Sequence, residues 1–276
     1  MSTAILGPGA VGGSLAVQLA LAGERVVCVA RRETVAAIAR DGLTLVRDGV
    51  ELRATMEATE HLEEPVDLLL VTVKAPGLAD AIGRIGAEPT LVVPLLNGLE
   101  HIEKLRERFA RVAVATIGHF EAYRDGLTRI VQHDSALITM AGDDVPAPLE
   151  RACVRVRFGG GEADVLWEKL ARQAPLAALT AATGLTVGEL RADGRLRAAV
   201  DEACAVAAAD GAATTFAEQW AIIESLPSGA TSSTARDIAA GRPSELDAIG
   251  GAVVRAGRRL GVPTPTLEEL IATCRA

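Results

Sequence analysis

The stretch from Ala4 to Glu33, "AILGPGAVGGSLAVQLALAGERVVCVARRE", decides how the chain starts to fold. Its first apolar residues read as a strand. Val11, Leu15, Leu19 and Ala22 then recur on one stripe of a helix that Gly23 closes, and "RVVCVA" (25–30) reads as a second strand. Between the first strand and the helix stand Gly7, Gly9 and Gly12, spaced G-x-G-x-x-G. Alone the motif is weak, but a strand before it and a helix after it make it specific. Gly7 permits the tight turn, Gly9 lets a pyrophosphate approach the backbone, and Gly12 lets helix and strand pack closely. The N–H groups of the turn and of the first helical residues, Ala10 and Val11 included, then face the phosphate with the helix dipole behind them. A glycine-rich turn without a ligand is the competing reading, and the flanking elements count against it.

Composition narrows the rest. The chain has 276 residues, enough for two modest domains, and 49% hydrophobic residues with only 3% aromatic ones. A core of Ala, Val, Leu and Ile favours helices and parallel strands over an aromatic-rich sandwich. A net charge of -8 argues against a general nucleic-acid binder, because no broad excess of cations exists to neutralise phosphates. Cys28, Cys153, Cys204 and Cys274 lie far apart with no C-x-x-C pair, which fits reduced thiols. No basic leader precedes the first strand, and the longest apolar run, "VDLLLVTV", is too short for a bilayer. A soluble cytoplasmic protein is expected.

Strands are read at 3–7, 25–30, 66–73, 90–95 and 111–117, several of them apolar on both faces as in a parallel sheet covered by helices. Helices are expected after Lys74 and after Asn97. "HFEAY", "GLTRIVQ" and "ALITMAG" (119–142) read as an antiparallel addition to the sheet edge, followed by a helix near Leu149 to Arg157. Beyond "FGGGEAD" (158–164) the pattern is helical, with Gly184, Gly211, Gly241 and Gly261 at helix ends. The fold expected is α/β: a doubly wound Rossmann domain over 1–160 that binds the dinucleotide, then an all-α substrate and catalytic domain over 161–276, with the ligand at their junction.

Individual residues carry less by themselves. Arg31 and Arg32 end the second strand about 20 residues past Gly12, where an acid selects NAD by binding the ribose 2′-hydroxyl. A guanidinium there can fork onto a 2′-phosphate, which points to NADPH with Arg31 as its reader. Two solvated arginines at a helix start are the alternative. Lys74 and Asn97 follow buried strands at the edge where such sheets bind ligands, although surface lysines and N-G turns are common without function. Lys169, Gln173 and Ala177 fall at i, i+4 and i+8 on one helical face, where an exposed lysine is the ordinary case. Ser244 as an N-cap with Glu245 in the first turn also suits a helix start without any function. His61, His101, His119 and His133 show no metal-ligand spacing and read as surface or loop residues; no metal is expected.

Taken together, the segments "ILGPGAVGGSLA", "VARR", "LLLVTVKAPG", "LLNGLEHIE", "LWEKLARQAPLAALTA", "SSTARDIAAGRPSELDAIGG" and "LGVPTPTLEEL" resemble the ketopantoate reductase (2-dehydropantoate 2-reductase) family nearly end to end. The resemblance implies an NADPH-dependent oxidoreductase that reduces a 2-keto acid to a 2-hydroxy acid, in that family ketopantoate to pantoate in pantothenate biosynthesis. It implies Lys169 in W-x-K-L as catalytic lysine, and Glu245 as the glutamate of R-P-[ST]-E-[IL]-D. It implies Arg31 and Lys74 at the cofactor's adenylate end, Asn97 beside the nicotinamide ribose and substrate, and Ser233 at the substrate's carboxylate. Gln173 and Ala177 stand where the family usually carries asparagines, and another common asparagine is replaced near Ala230. A pocket without those amides discriminates less for hydroxylated substrates.

Three activities stay open at this point: ketopantoate reduction, reduction of a less polar keto acid or of an imine, and a non-catalytic NADPH sensor. The small residues of the second half would allow close packing within the chain or across a homodimer. The cofactor reading has its own check. Arg31→Ala is expected to lower the NADPH-to-NADH ratio of kcat/KM, and an unchanged ratio overturns the assignment of Arg31.

Overall fold

The computed structural model describes residues 1–118, 121–134 and 136–274. It divides into two compact units, Met1–Leu96 with His101–Gly160, and Asn97–Glu100 with Gly161–Ala276. The first unit runs β1 (Ser2–Leu6), α1 (Ala10–Leu21), β2 (Arg25–Val29), α2 (Arg32–Asp41), β3 (Leu43–Arg47), β4 (Val50–Ala54), β5 (Glu57–Thr59), β6 (Leu68–Val71), α3 (Leu78–Ile82) and β7 (Leu91–Pro94). It continues through α4 (His101–Arg106), β8 (Ala115–Gly118), β9 (Ala122–Asp125), β10 (Arg129–Gln132), β11 (Leu137–Met140), α5 (Ala147–Arg151) and β12 (Arg155–Phe158).

Five strands form a parallel sheet in the order β5-β2-β1-β6-β7. Its central strands are buried on both faces, which explains their unbroken apolar sequence. Ile5, Cys28, Leu68 and Leu70 pack into one layer with α1, while Ala4, Leu6, Val27, Val29, Leu69 and Val71 pack into the other. A sheet covered in this way needs crossover helices, and α1 supplies the first.

The remaining strands depart from the expected edge addition. β9 and β10 join β3 and β4 in a separate sheet, β4-β3-β10-β9. The β3–β4 hairpin turns at Asp48 and Gly49, both with positive φ (53° and 76°), the conformation that a two-residue D-G turn supplies. Nor does β8 extend the parallel sheet; it pairs with β11 in a three-stranded sheet β12-β11-β8, and only a bridge from Val112 to Val92 reaches β7. The helix expected over 149–157 stops at Arg151. Cys153 takes φ 52°, and Arg155–Phe158 then form strand β12. The start of "HFEAY", His119 included, lies outside the described residues.

Among the described residues the second unit holds seven α-helices, α6 (Glu162–Thr183), α7 (Val187–Leu190), α8 (Gly194–Ala209), α9 (Phe216–Ser225), α10 (Ser233–Ala239), α11 (Ala252–Leu260) and α12 (Pro265–Thr273), with a π-helical turn over Asp247–Gly251. Gly184 and Gly261 end α6 and α11 in the left-handed conformation. Helix α6 packs on α8 through a core rich in alanine, including Ala171, Ala174, Ala178, Ala199 and Ala203. Small side chains let two helix backbones approach closely. Trp167 is fully buried and donates its indole N–H to Asp210 at 2.9 Å, which fixes the rotation of α6. Among the described residues no helix is long and apolar enough to cross a membrane, and the four cysteines are free.

The join between β1 and α1 is tight. A methyl group on Gly12 would overlap Thr72 Oγ1 and lie 2.6 Å from the Gly7 carbonyl oxygen and 2.8 Å from Ile5 Cγ2. Gly12→Ala is therefore expected to destabilise the chain by about 1–3 kcal/mol through overpacking. Denaturant unfolding measures it, and an unchanged midpoint contradicts the tight join.

Candidate functional site

The residues singled out from the sequence divide between the two units, and hydrogen bonds bring Lys169, Asn97 and Glu245 together. In the first, Gly7 turns the chain with φ 86°, a conformation that few side chains tolerate. At Gly9 the situation is the reverse of that at Gly12: an added methyl would meet nothing nearer than the Gly7 carbonyl oxygen at 3.9 Å. The backbone is bare there and open to approach. Helix α1 then starts without a side-chain cap and without an acidic residue in its first turn, where Ala10, Val11 and Gly12 stand. Such a helix start suits a phosphate.

Thr72, which the sequence reading passed over, holds this turn by donating its hydroxyl to the Leu6 and Gly7 carbonyls at 3.1 and 2.8 Å. Arg31 stands two residues after β2, immediately before α2, and is exposed. Lys74, also exposed, precedes a short 3-10 turn after β6. Both stand at the carboxyl end of the parallel sheet, where α/β sheets bind ligands.

In the second unit Asn97 links two charged side chains. Lys169 Nζ donates to Asn97 Oδ1 at 2.7 Å, and Asn97 Nδ2 donates to Glu245 Oε2 at 3.0 Å. This arrangement fixes the amide's orientation, because a flipped amide would set N–H against ammonium and oxygen against carboxylate. Each member has a local reason for its place. Lys169 sits on α6 between the buried Trp167 and Leu170, with its own side chain half-buried. Glu245, 9% exposed, immediately precedes the helical backbone that opens as the π turn, rather than standing inside a first α-turn capped by Ser244. Asn97 is held by Gly98, whose φ is 93° and whose missing side chain lets the backbone press on the Ala248 carbonyl.

The electrostatics follow from this burial. Desolvation pulls the Lys169 ammonium down to about 8, the nearby Arg172 guanidinium pulls the same way, and Glu245 opposes both. Arg172 is another residue the sequence reading did not single out. It lies one turn along α6 from Lys169 and donates to the Glu168 carbonyl and, at 3.0 Å, to Gln219 Oε1. An amine in this range is charged at neutral pH and gives up its proton readily, which suits a general acid.

Gln173 lies one turn beyond Lys169 and is half-buried, whereas Ala177 is sealed in the helical core at 1% exposure. Ser233 is exposed as the first residue of α10. Its neighbour Ser232 makes the cap, accepting from the Ala235 N–H at 3.0 Å. His101 differs from the surface or loop position expected for it, being buried at the start of α4 at 4% exposure.

A glycine-turn α/β unit and a helical unit with an amide-bridged lysine define a class of two-unit nucleotide-fold proteins, and comparison narrows that class. The family model described as "Ketopantoate reductase PanE/ApbA" matches residues 3–143, and that described as "Ketopantoate reductase PanE/ApbA C terminal" matches 163–276. The chain belongs to the ketopantoate reductase family of oxidoreductases. It is 28% identical to a 2-dehydropantoate 2-reductase of Caulobacter vibrioides, covering 100% of this chain and 98% of the relative. It is 27% identical to that of Mesorhizobium japonicum, over 100% of this chain and 97% of the relative. Among solved structures, a PanE/ApbA family ketopantoate reductase from Ralstonia eutropha JMP134 superposes with TM-score 0.86 at 30% identity, covering 100% of this chain and 97% of that one. A D-mandelate dehydrogenase solved with NADH and anilino(oxo)acetate shares the fold at TM-score 0.88 and 23% identity, over 100% and 97%.

The buried amine gives a direct check. In a pH titration of side-chain-labelled protein by NMR, the Lys169 ammonium is expected to lose its proton with a midpoint near 8, leaving it charged below that pH and neutral above it. A midpoint near the ordinary lysine value of 10.5 contradicts the burial.

Proposed function

We propose that the chain reduces a 2-keto acid to the 2-hydroxy acid with NADPH, and that ketopantoate is the substrate. The observation that carries this reading is the hydrogen-bonded series Lys169–Asn97–Glu245, at 2.7 and 3.0 Å. Reduction of a ketone builds negative charge on its oxygen and finally needs a proton there. Lys169 supplies both, first as a cation near that oxygen and then as the proton donor. Asn97 aims the ammonium through its amide oxygen. Glu245 favours the charged amine and fixes the other end of the amide. Gln173, one turn along α6, and Ser233 are the side chains proposed to meet the rest of the substrate, Ser233 taking the carboxylate.

The first unit fits the dinucleotide. The bare backbone at Gly9 and the uncapped start of α1 suit a pyrophosphate held by N–H groups. Lys74 adds a cation toward the adenylate end, and Arg31 is the proposed reader of a 2′-phosphate. When bound, the reduced nicotinamide supplies the hydride.

One observation favours a second substrate. Ala177 stands where the family usually presents an amide, and it is closed into the apolar core. A site that lacks a hydrogen-bonding partner discriminates less for a substrate hydroxyl. A less polar 2-keto acid is the alternative within the same chemistry.

NADPH oxidation with a panel of 2-keto acids tests the reading. Turnover of ketopantoate with the highest kcat/KM is expected, and a better apolar keto acid selects the alternative. Lys169→Ala is expected to keep NADPH binding and lose about 10²-fold or more in kcat. Turnover that survives that change removes Lys169 from the chemistry, and NADPH binding without turnover of any keto acid leaves a sensor.

A further inference from the structure

Arg255 stands on α11, outside the glycine turn and the Lys169–Asn97–Glu245 array. Its Nε donates to Glu100 Oε1 at 2.6 Å and its Nη2 to Glu100 Oε2 at 2.9 Å, a two-bond fork. The same guanidinium reaches the first residue of the π turn, donating from Nη1 to Asp247 Oδ1 at 3.2 Å and from Nη2 to the Asp247 carbonyl at 3.0 Å. Gly251 leaves the room for it: a methyl group there would lie 2.9 Å from Arg255 Nη1 and 2.8 Å from Asp247 Oδ1.

Both anchor points are close in sequence to members of the array. Glu100 follows Asn97 by three residues, and Asp247 follows Glu245 by two. One planar cation thus ties together the two backbone segments that carry the amide and the carboxylate. Between those segments Gly98 presses on the Ala248 carbonyl, and Leu99 packs against the helical core. Arg255 and Glu100 are each about two-fifths exposed, so solvent screens the pair, while the fork and the link to Asp247 make it more than a simple surface contact. What such a fork does supply is a fixed distance and direction, which a lysine could not reproduce.

We propose that Arg255 is a positioning residue for the reaction: by gripping Glu100 and Asp247 it sets Asn97 between Lys169 and Glu245. This rests on the reductase reading given above. A displacement of about 1 Å in such an array can cost on the order of 10²-fold in rate, because the reacting groups must meet in a narrow range of geometries.

The test uses the full chain with Arg255→Met, and Glu100→Gln as the milder variant. Crystal structures of both are expected to show Asn97 Oδ1 beyond hydrogen-bond reach of Lys169 Nζ. Steady-state kinetics are expected to show kcat lower by about tenfold or more while KM for the keto acid stays within about twofold, the sign of lost alignment rather than lost binding. If Asn97 keeps its 2.7 Å bond to Lys169 in both variants, or if KM rises with kcat unchanged, the positioning role is overturned. Should the parent chain reduce no keto acid at all, the reductase reading falls, while the place of Asn97 in the variant structures still decides the role of Arg255.

Discussion

A lysine amine and a glutamate carboxylate, both withdrawn from water, are held to one asparagine amide. The amide oxygen takes the ammonium and the amide nitrogen gives to the carboxylate. Withdrawing a cation from water makes it a stronger acid, and the Arg172 guanidinium presses in the same direction. Glu245 pulls the other way, as the smallest of the three influences on the amine. Burial weakens the amine's hold on its proton, and full exposure would leave it the weak acid an ordinary lysine is. The amide holds the two charged groups at a fixed geometry.

The helical unit is built to hold that balance. Trp167, sealed in the core and bonded to Asp210, orients α6 two residues before Lys169. The alanines behind it bring α8 close and leave the lysine on the flank of the packed face. The glycine turn of the first unit follows a similar logic with backbone in place of side chains. Gly12 is needed because something else fills the space, whereas at Gly9 the space is empty and available to a ligand. Two glycines of one motif therefore answer to opposite constraints.

Much of this was legible in the order of residues. The strands of the parallel sheet announce themselves as apolar on both faces, since Ile5, Leu68 and Leu70 serve one layer and Leu6, Leu69 and Val71 the other. The glycine turn and the helix ends at Gly184 and Gly261 follow from local chemistry. The β3–β4 hairpin also carried its signal, Asp48-Gly49, but the charged residues of "LTLVRDGVELRA" obscure the alternation around it. Strand β8 has the same apolar look as its neighbours, yet it pairs elsewhere, and no local pattern reveals a pairing choice. The array lies at the far limit of legibility. Asn97 meets Lys169 across 72 residues and Glu245 across 148, and the resemblance of motifs, not periodicity, singled these residues out. Thr72, Arg172 and Arg255 have no sequence signal of their own; only the folded chain shows what each one holds.

The most direct measurement is a crystal structure of the chain with NADP and a bound 2-hydroxy acid. The Lys169 amine is expected within about 3.2 Å of the hydroxyl oxygen that the reaction protonates, with Asn97 still between it and Glu245. An amine turned to bulk water, with some other donor on that oxygen, would contradict the role given to this lysine.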